Sequence, residues 1–342
     1  MDDNIEKRFE DLVVSRKLAS VQTISSISPL NSELDVAKIL GWQVVIRKGE
    51  FKEGEKVLYF EIDSKLPDWF TDMEMTDYRA KTILIEGVVS QGLIKSINFL
   101  KDNEKYRVGD DVSEILDVQK YDDEGVLLSV QENMEFPIHL IPKTDEPRIQ
   151  SEPRYLEVFK GRPYIACLKY DGTSSSFMLD QDTKDNLWVC SRNKLIPASK
   201  KDNYWQIAEK YKILEKLLKN PDLAIQGEIY GQGIKKNPFE IKDKRLAIFT
   251  IYSLTQKRCL DYDEMTEVCK SLDLPVVEAV EKGDKFDYDI DQVLEKAKGF
   301  YGNTKNSREG LVFRLQKYWD TPTCRASFKV INNDFLIKPS KK

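Results

Sequence analysis

The stretch Cys167-Leu168-Lys169-Tyr170-Asp171-Gly172-Thr173 lies between Tyr164-Ile165-Ala166 and Phe177-Met178-Leu179, so its one lysine interrupts an apolar run that reads as a buried strand. A charge in that setting needs a reason. Alternation puts Lys169 and Asp171 on one face of the strand, while Gly172 permits a tight turn and removes bulk where another group must approach. Two readings fit these residues: a salt bridge ahead of a β-turn, or a lysine and a carboxylate converging on free space. The pattern K-x-D-G does not separate them.

Further along the chain, polar residues recur at the ends of segments with strand character: Ser191-Arg192-Asn193, Gln226-Gly227-Glu228-Ile229-Tyr230-Gly231, Ile248-Phe249-Thr250-Ile251-Tyr252, Arg308-Glu309-Gly310-Leu311-Val312-Phe313-Arg314 and Ser327-Phe328-Lys329-Val330. Strands are predicted over 188–192, 224–230, 246–253, 310–315 and 326–331. Helical spacing of Tyr204, Ile207, Ala208, Tyr211, Leu214, Leu217 and Leu218 predicts one amphipathic helix over 202–220, stopped at Pro221, and shorter helices follow at 263–272 and 291–298. Several strands succeed one another without an intervening helix. The class is therefore α+β with antiparallel sheets and flanking helices.

The first hundred residues carry strand signals at 18–24, 42–47, 56–62 and 82–94. Two turns are alike, Phe51-Lys52-Glu53-Gly54-Glu55-Lys56-Val57 and Tyr106-Arg107-Val108-Gly109-Asp110-Asp111-Val112, and both suit the punctuation of a small β-barrel. Periodicity fades after Asp117 through the acidic run Asp122-Asp123-Glu124. The expected organisation is a β-barrel domain over 1–116, a linker over 117–140 and a second domain over 141–342.

A chain of 342 residues with 41% hydrophobic content is long enough for two cores. No apolar stretch approaches the roughly 18 residues that span a bilayer, and Met1-Asp2-Asp3-Asn4 does not begin a signal peptide, so the expected location is intracellular, cytoplasmic or nuclear, with no membrane partner. Cys167, Cys190, Cys259, Cys269 and Cys324 form no C-x-x-C pair, which indicates neither a disulfide framework nor a zinc site. The only histidine, His139, reads as a packed side chain and excludes multi-histidine metal sites. Any catalysis must therefore rest on lysine and carboxylates. The net charge of −5 is uneven, since residues 1–150 sum to −11 and 151–342 to +6, so an anionic partner is expected on the second part.

In its order, the series Lys169, Arg192, Glu228, Phe249, Glu309 and Lys329 resembles the covalent nucleotidyltransferases: RNA ligases, DNA ligases and mRNA capping enzymes. Gly41-Trp42-Gln43-Val44-Val45, Gly49-Glu50-Phe51-Lys52-Glu53-Gly54-Glu55 and Tyr59-Phe60-Glu61-Ile62-Asp63-Ser64-Lys65-Leu66-Pro67 resemble the N-terminal OB domain of RNA ligases of the Deinococcus and Naegleria type. The resemblance spans nearly the whole chain. It implies an N-terminal OB-like β-barrel followed by an adenylyltransferase domain. It also implies ATP-dependent joining of a 3′-OH RNA end to a 5′-phosphate end through lysyl-adenylate and adenylylated 5′-end intermediates, in RNA repair. The implied cofactors are ATP and Mg²⁺ or Mn²⁺. The implied partners are RNA ends, including a nicked duplex with RNA on the 3′-OH side, and the implied state is a monomer. A guanylyltransferase or DNA ligase of the same superfamily, or a non-catalytic RNA-binding protein on a decayed transferase fold, are the competing readings.

The resemblance makes Lys169 the nucleophile and Asp171, Glu228 and Glu309 the metal shell, a set of hard oxygen ligands, with Glu228 shared between the metal and the ribose of ATP. Lys329 and Arg148 are then the phosphate cations, and Arg192 a contact to ribose or to the RNA 5′-phosphate. Phe249 is open between stacking on adenine and packing in the core. Several relatives carry a second lysine where this chain has Ser327, which leaves the partner of Lys329 open, with Lys338 as a candidate. Trp42, Trp69 and Phe70 are open between core and base stacking.

Overall fold

Burial alternates residue by residue along Leu34–Ile39 and Trp42–Arg47, which belong to the first of two units. The computed structural model describes residues 16–67, 70, 78–121, 135–143, 145–317 and 326–337. One unit lies within 14–127, 149–153 and the residues from 336, and the other within 128–148 and 154–335. The expected linker over 117–140 falls partly outside the described residues, as do Trp69, Cys324, Lys338 and the acidic run at 122–124.

In the first unit, β1 (Ala19–Thr23), β2 (Ser26–Pro29), β3 (Leu34–Ile39), β4 (Trp42–Arg47), β5 (Lys56–Phe60), β6 (Ser64–Lys65), β7 (Thr82–Ile85), β8 (Val88–Gln91), β9 (Leu93–Ser96) and β10 (Gln119–Lys120) are the strands. They pair as β1-β5-β9, β2-β3-β4, β7-β8 and β10-β6, all antiparallel. The predicted strand over 82–94 is broken at Gly87 and Gly92 into β7, β8 and β9. The two similar turns close in the same way: the Lys52 N–H donates to Glu55 and the Arg107 N–H to Asp110, three residues on in each case. Trp42 and Phe70 are buried, Trp42 packing with Val44, Val57 and Tyr59, and Phe70 lying edge-on to Phe60, so both belong to the core.

The second unit contains β11 (Tyr164–Lys169), β12 (Thr173–Leu179), β13 (Leu187–Ser191), β14 (Leu223–Gly231), β15 (Lys244–Ser253), β16 (Arg258–Cys259), β17 (Ala279–Gly283), β18 (Gly310–Leu315) and β19 (Ser327–Ile331). They make two antiparallel sheets, β13-β12-β14-β15-β16 and β17-β11-β18-β19. Among the described residues its helices include α1 (Tyr155–Phe159), α2 (Asn203–Lys210), α3 (Ile213–Lys219), α4 (Tyr262–Ser271) and α5 (Ile290–Ala297). Ile207, Ala208, Ile213, Leu217, Met265 and Cys269 of α2, α3 and α4 bury their apolar face against Phe177, Val189, Ile225 and Ile248 of the five-stranded sheet.

The single helix expected over 202–220 is two helices. Asp202 caps the first by accepting from the Tyr204 and Trp205 N–H groups, and the chain breaks at Lys212, whose φ is 50°. The apolar face continues across the break, so sheet packing overrides local helix propensity there. His139 is also unlike its expectation: it lies exposed in a turn rather than packed. Cys167, Cys190, Cys259 and Cys269 are buried. No helix among the described residues is long and apolar enough to cross a membrane.

Candidate active site

Strand β11 runs through the middle of the four-stranded sheet, paired with β17 on one side and β18 on the other. Its Ile165 and Cys167 pack against Ala247 and Val277, which holds the strand and leaves Lys169 at its end, opposite Gly310. The Lys169 Nζ lies 2.7 Å from a Glu309 carboxylate oxygen. The apolar flank thus anchors a charge at the strand's end, and the direct partner of that charge is Glu309 rather than Asp171.

Two glycines make this approach possible. A Cβ on Gly172 would stand 2.2 Å from the Ile229 carbonyl oxygen and 2.9 Å from the Glu228 Cγ. A Cβ on Gly310 would stand 2.0 Å from the Val330 oxygen, at a φ of +150° that a side chain rarely adopts. The first lets the Lys169 turn close onto β14, and the second lets β18 begin immediately after Glu309.

Negative charge accumulates around the lysine. Burial alone would lower the Lys169 ammonium, but Glu309 and Glu228 outweigh it and hold the group above the ordinary lysine value. Burial, with Glu309 adding, raises Asp171. Burial pushes Glu228 up to about 8, with Glu309 and Asp171 contributing and Lys169 and Arg192 opposing. Among the described residues no group of three such side chains is gathered as a ready-made cation cage. Glu309 is engaged with the lysine instead. Carboxylates raised by burial and mutual repulsion nevertheless suit a hydrated divalent cation, since Mg²⁺ keeps several of its waters and needs only one or two direct carboxylates.

A second group gathers cations. Lys329 on β19 places its Nζ 3.1 Å from the Asp145 carboxylate, and the Arg192 guanidinium, just past β13, pairs with the same oxygen. Burial brings Lys329 down to about 8; Asp145 opposes this, and Arg148 and Lys169 add to it. Arg148 is held beside Lys329 by a parallel bridge, with the Lys329 N–H donating to the Pro147 carbonyl at 2.9 Å.

Phe249 is the residue skipped where β14 and β15 change register between Gln226↔Thr250 and Gly227↔Ile248, a bulge that re-aims a side chain. Its ring is partly exposed while packing on the cluster around Ile165 and Cys167, and the Arg314 guanidinium lies 5.9 Å from its centroid. Ser327 is buried opposite Arg314. Arg314 donates to the Phe249 carbonyl and lies 3.5 Å from Glu146.

Sequence reasoning missed Asp145, Glu146, Arg314 and Tyr301. Asp145 and Glu146 sit in a proline-rich segment without periodicity, and Arg314 reads as an ordinary strand residue. Tyr301 lies in a loop, 1% exposed. Its hydroxyl donates to the Lys169 carbonyl at 2.9 Å and accepts from the Asp171 N–H at 3.1 Å and the Glu309 N–H at 2.9 Å. No local signal marks it.

Comparison with known proteins bears on this arrangement. A family model described as RNA ligase matches residues 162–331, and a model of an OB-fold domain matches residues 18–97. A Naegleria gruberi RNA ligase variant solved with ATP and Mn is 30% identical, with a TM-score of 0.84, 94% of this chain and 98% of that chain being covered. A variant of the same enzyme with AMP and Mn gives a TM-score of 0.83 at 30% identity over the same shares. The enzyme with PPi gives 0.82 at 30% identity, again over 94% and 98%. Among curated protein sequences no relative matches.

Proposed function

The chain belongs to the RNA ligase family, and on that premise we propose how its site works. It is an ATP-dependent RNA ligase that uses a divalent metal ion, as the ATP, AMP and Mn complexes of the Naegleria enzyme support. The Lys169 Nζ attacks the α-phosphorus of ATP. The N–P bond forms, the bond from the α-phosphorus to the bridging oxygen breaks, and pyrophosphate leaves. The AMP then passes to the 5′-phosphate of an RNA end, and attack by a 3′-OH forms the phosphodiester and releases AMP.

An ordinary lysine, with a pKa near ~10.4, is almost wholly protonated at neutral pH. The resting pair with Glu309 deepens that state, and the same Glu309 oxygen, 2.7 Å away, is the acceptor in reach of the proton that must leave. Lys329 and Arg148 meet the α-phosphate, preorganised where negative charge develops. Arg192 turns from Asp145 to the ribose or the RNA 5′-phosphate, and Phe249 stacks on adenine. Asp171, Glu228 and Glu309 would hold Mg²⁺ or Mn²⁺, and the ion, when bound, would neutralise phosphate charge.

The substrates are RNA ends, including a nicked duplex with RNA on the 3′-OH side, and the task is RNA repair by a monomer. A cytoplasmic or nuclear setting agrees with four buried thiols, two of which, Cys190 and Cys269, burial pushes up to about 12.

The observation that carries this reading is Lys169 at a strand end, its ammonium on Glu309 and ringed by raised carboxylates. Incubation with α-labelled ATP and Mn²⁺ should label the protein through an acid-labile bond, and Lys169→Ala should abolish the label. Labelling that survives the substitution sinks the assignment. Labelling by GTP but not ATP, or all-DNA nicks sealed as fast as RNA-containing ones, would move it to the related transferases.

A further inference from the structure

Ladder pairing between β11 and β18 ends at Lys169↔Gly310. Just beyond it the chain must present three functional groups: the Lys169 ammonium, the Asp171 carboxylate and the Glu309 carboxylate. Two of these sit on the outgoing end of β11 and one on the incoming end of β18. A strand end released from its ladder is free to splay, and splaying would carry these groups apart.

We propose that Tyr301 is a positioning residue for adenylyl transfer, its hydroxyl acting as one further rung that locks the ends of β11 and β18 together. A tyrosine hydroxyl has one hydrogen to donate and two lone pairs to accept with. Here all three are used on backbone: the Lys169 carbonyl takes the hydrogen, and the Asp171 and Glu309 N–H groups take the lone pairs. The residues bonded are the three that carry the chemistry. The Lys169 carbonyl and the Asp171 N–H flank Tyr170, so the two bonds set the backbone turn that aims Asp171. The third fixes Glu309 against Lys169.

The ring is held as firmly as the hydroxyl. Its centroid is 4.0 Å from that of Phe239, which in turn stacks on Tyr170 at 5.0 Å, so the tyrosine cannot swing away without disturbing the loop at 232–243. On the other side of Glu309, Asn332 is fully buried; its side chain donates to the Arg308 carbonyl at 3.0 Å, and its N–H donates to the Glu309 carbonyl at 2.9 Å. Glu309 is thus gripped at both its N–H and its carbonyl. Because a misplacement of about 1 Å costs a reaction on the order of 10²-fold, the rung matters beyond its share of stability.

This proposal rests on the adenylation reading above. In full-length Tyr301→Phe, lysyl-adenylate formation at saturating ATP in a single turnover should slow by about 10- to 100-fold, while half-saturating ATP stays within about threefold. The Mn²⁺ concentration for half-maximal rate should rise, because Asp171 loses its aim. Tyr59→Phe, which removes a buried hydroxyl bonded to the Gln91 carbonyl at 3.2 Å in the other unit, should lower Tm and leave the rate unchanged. A Tyr301→Phe rate within about twofold of wild type, whatever its Tm, overturns the proposal, because a merely structural hydroxyl predicts that result.

Hydrogen exchange on the wild-type chain covers the case in which the variant does not fold. The Asp171 and Glu309 amides should exchange as slowly as Leu168, whose N–H bonds the Glu278 carbonyl at 2.8 Å. Exchange at the rate of an open turn overturns the rung. Wild-type protein that forms no adduct overturns the function instead, whereas a labelled wild type with an unimpaired variant overturns only the role of Tyr301.

Discussion

Glu228 shows how one residue records the chemistry of its surroundings. Its folded value of about 8, set first by burial, lies far above the ordinary 4.5, so the folded chain binds the proton more tightly than the unfolded chain does. The stability it contributes is fully present below the ordinary value and is lost as pH rises through about 8. Without metal, the Tm of the wild type should therefore fall relative to Glu228→Gln between about pH 5 and 9, and added Mn²⁺ should shrink the fall. Parallel Tm curves for the two proteins would show that Glu228 does not hold its proton. Lys169 was legible as an anomaly from its neighbours alone. Its partner was not, because Asp171, Glu228 and Glu309 are all carboxylates and only the distance of 2.7 Å selects Glu309.

At the level of elements, apolar runs and period-2 alternation made most of the strands readable, and the glycines next to them explain why the strands meet where they do. Gly310→Ala would drive a Cβ into the Val330 oxygen and require a backbone φ of +150°. Overpacking of this kind costs about 1–3 kcal/mol, and here it also pushes β18 from β19 and moves Glu309. The expected result is a lower Tm together with loss of adenylate formation; a variant that keeps its full labelling rate would mean that the strands adjust without disturbing the site. Asp261→Ala is the contrasting case. It removes the capping box of α4, in which the Asp261 side chain accepts from the Glu264 N–H, and should cost about 1 kcal/mol by thermal or denaturant melting while adenylation is unchanged. The break at Lys212 escaped the sequence because both halves of the 202–220 segment keep the same helical period.

For the molecule as a whole, charge separates along the chain, with −11 over residues 1–150 and +6 over 151–342. RNA with a 5′-phosphate should therefore photocrosslink mainly within 151–342, and its binding should weaken with salt by a log–log slope of about −0.7 for each single-strand phosphate contact. Cross-links concentrated in 16–121, or binding indifferent to salt, would contradict this. The order of the candidate site residues was legible through the resemblance to the RNA ligases, and strand periodicity and the class of fold could be read along the chain because each depends on near neighbours and on composition. The pairing of Lys169 with Glu309, the capture of Lys329 and Arg192 by Asp145, and the rung at Tyr301 could not. They arise where β11, β18 and β19 are brought into register, and contacts of about 3 Å between residues remote in sequence leave no trace in local pattern.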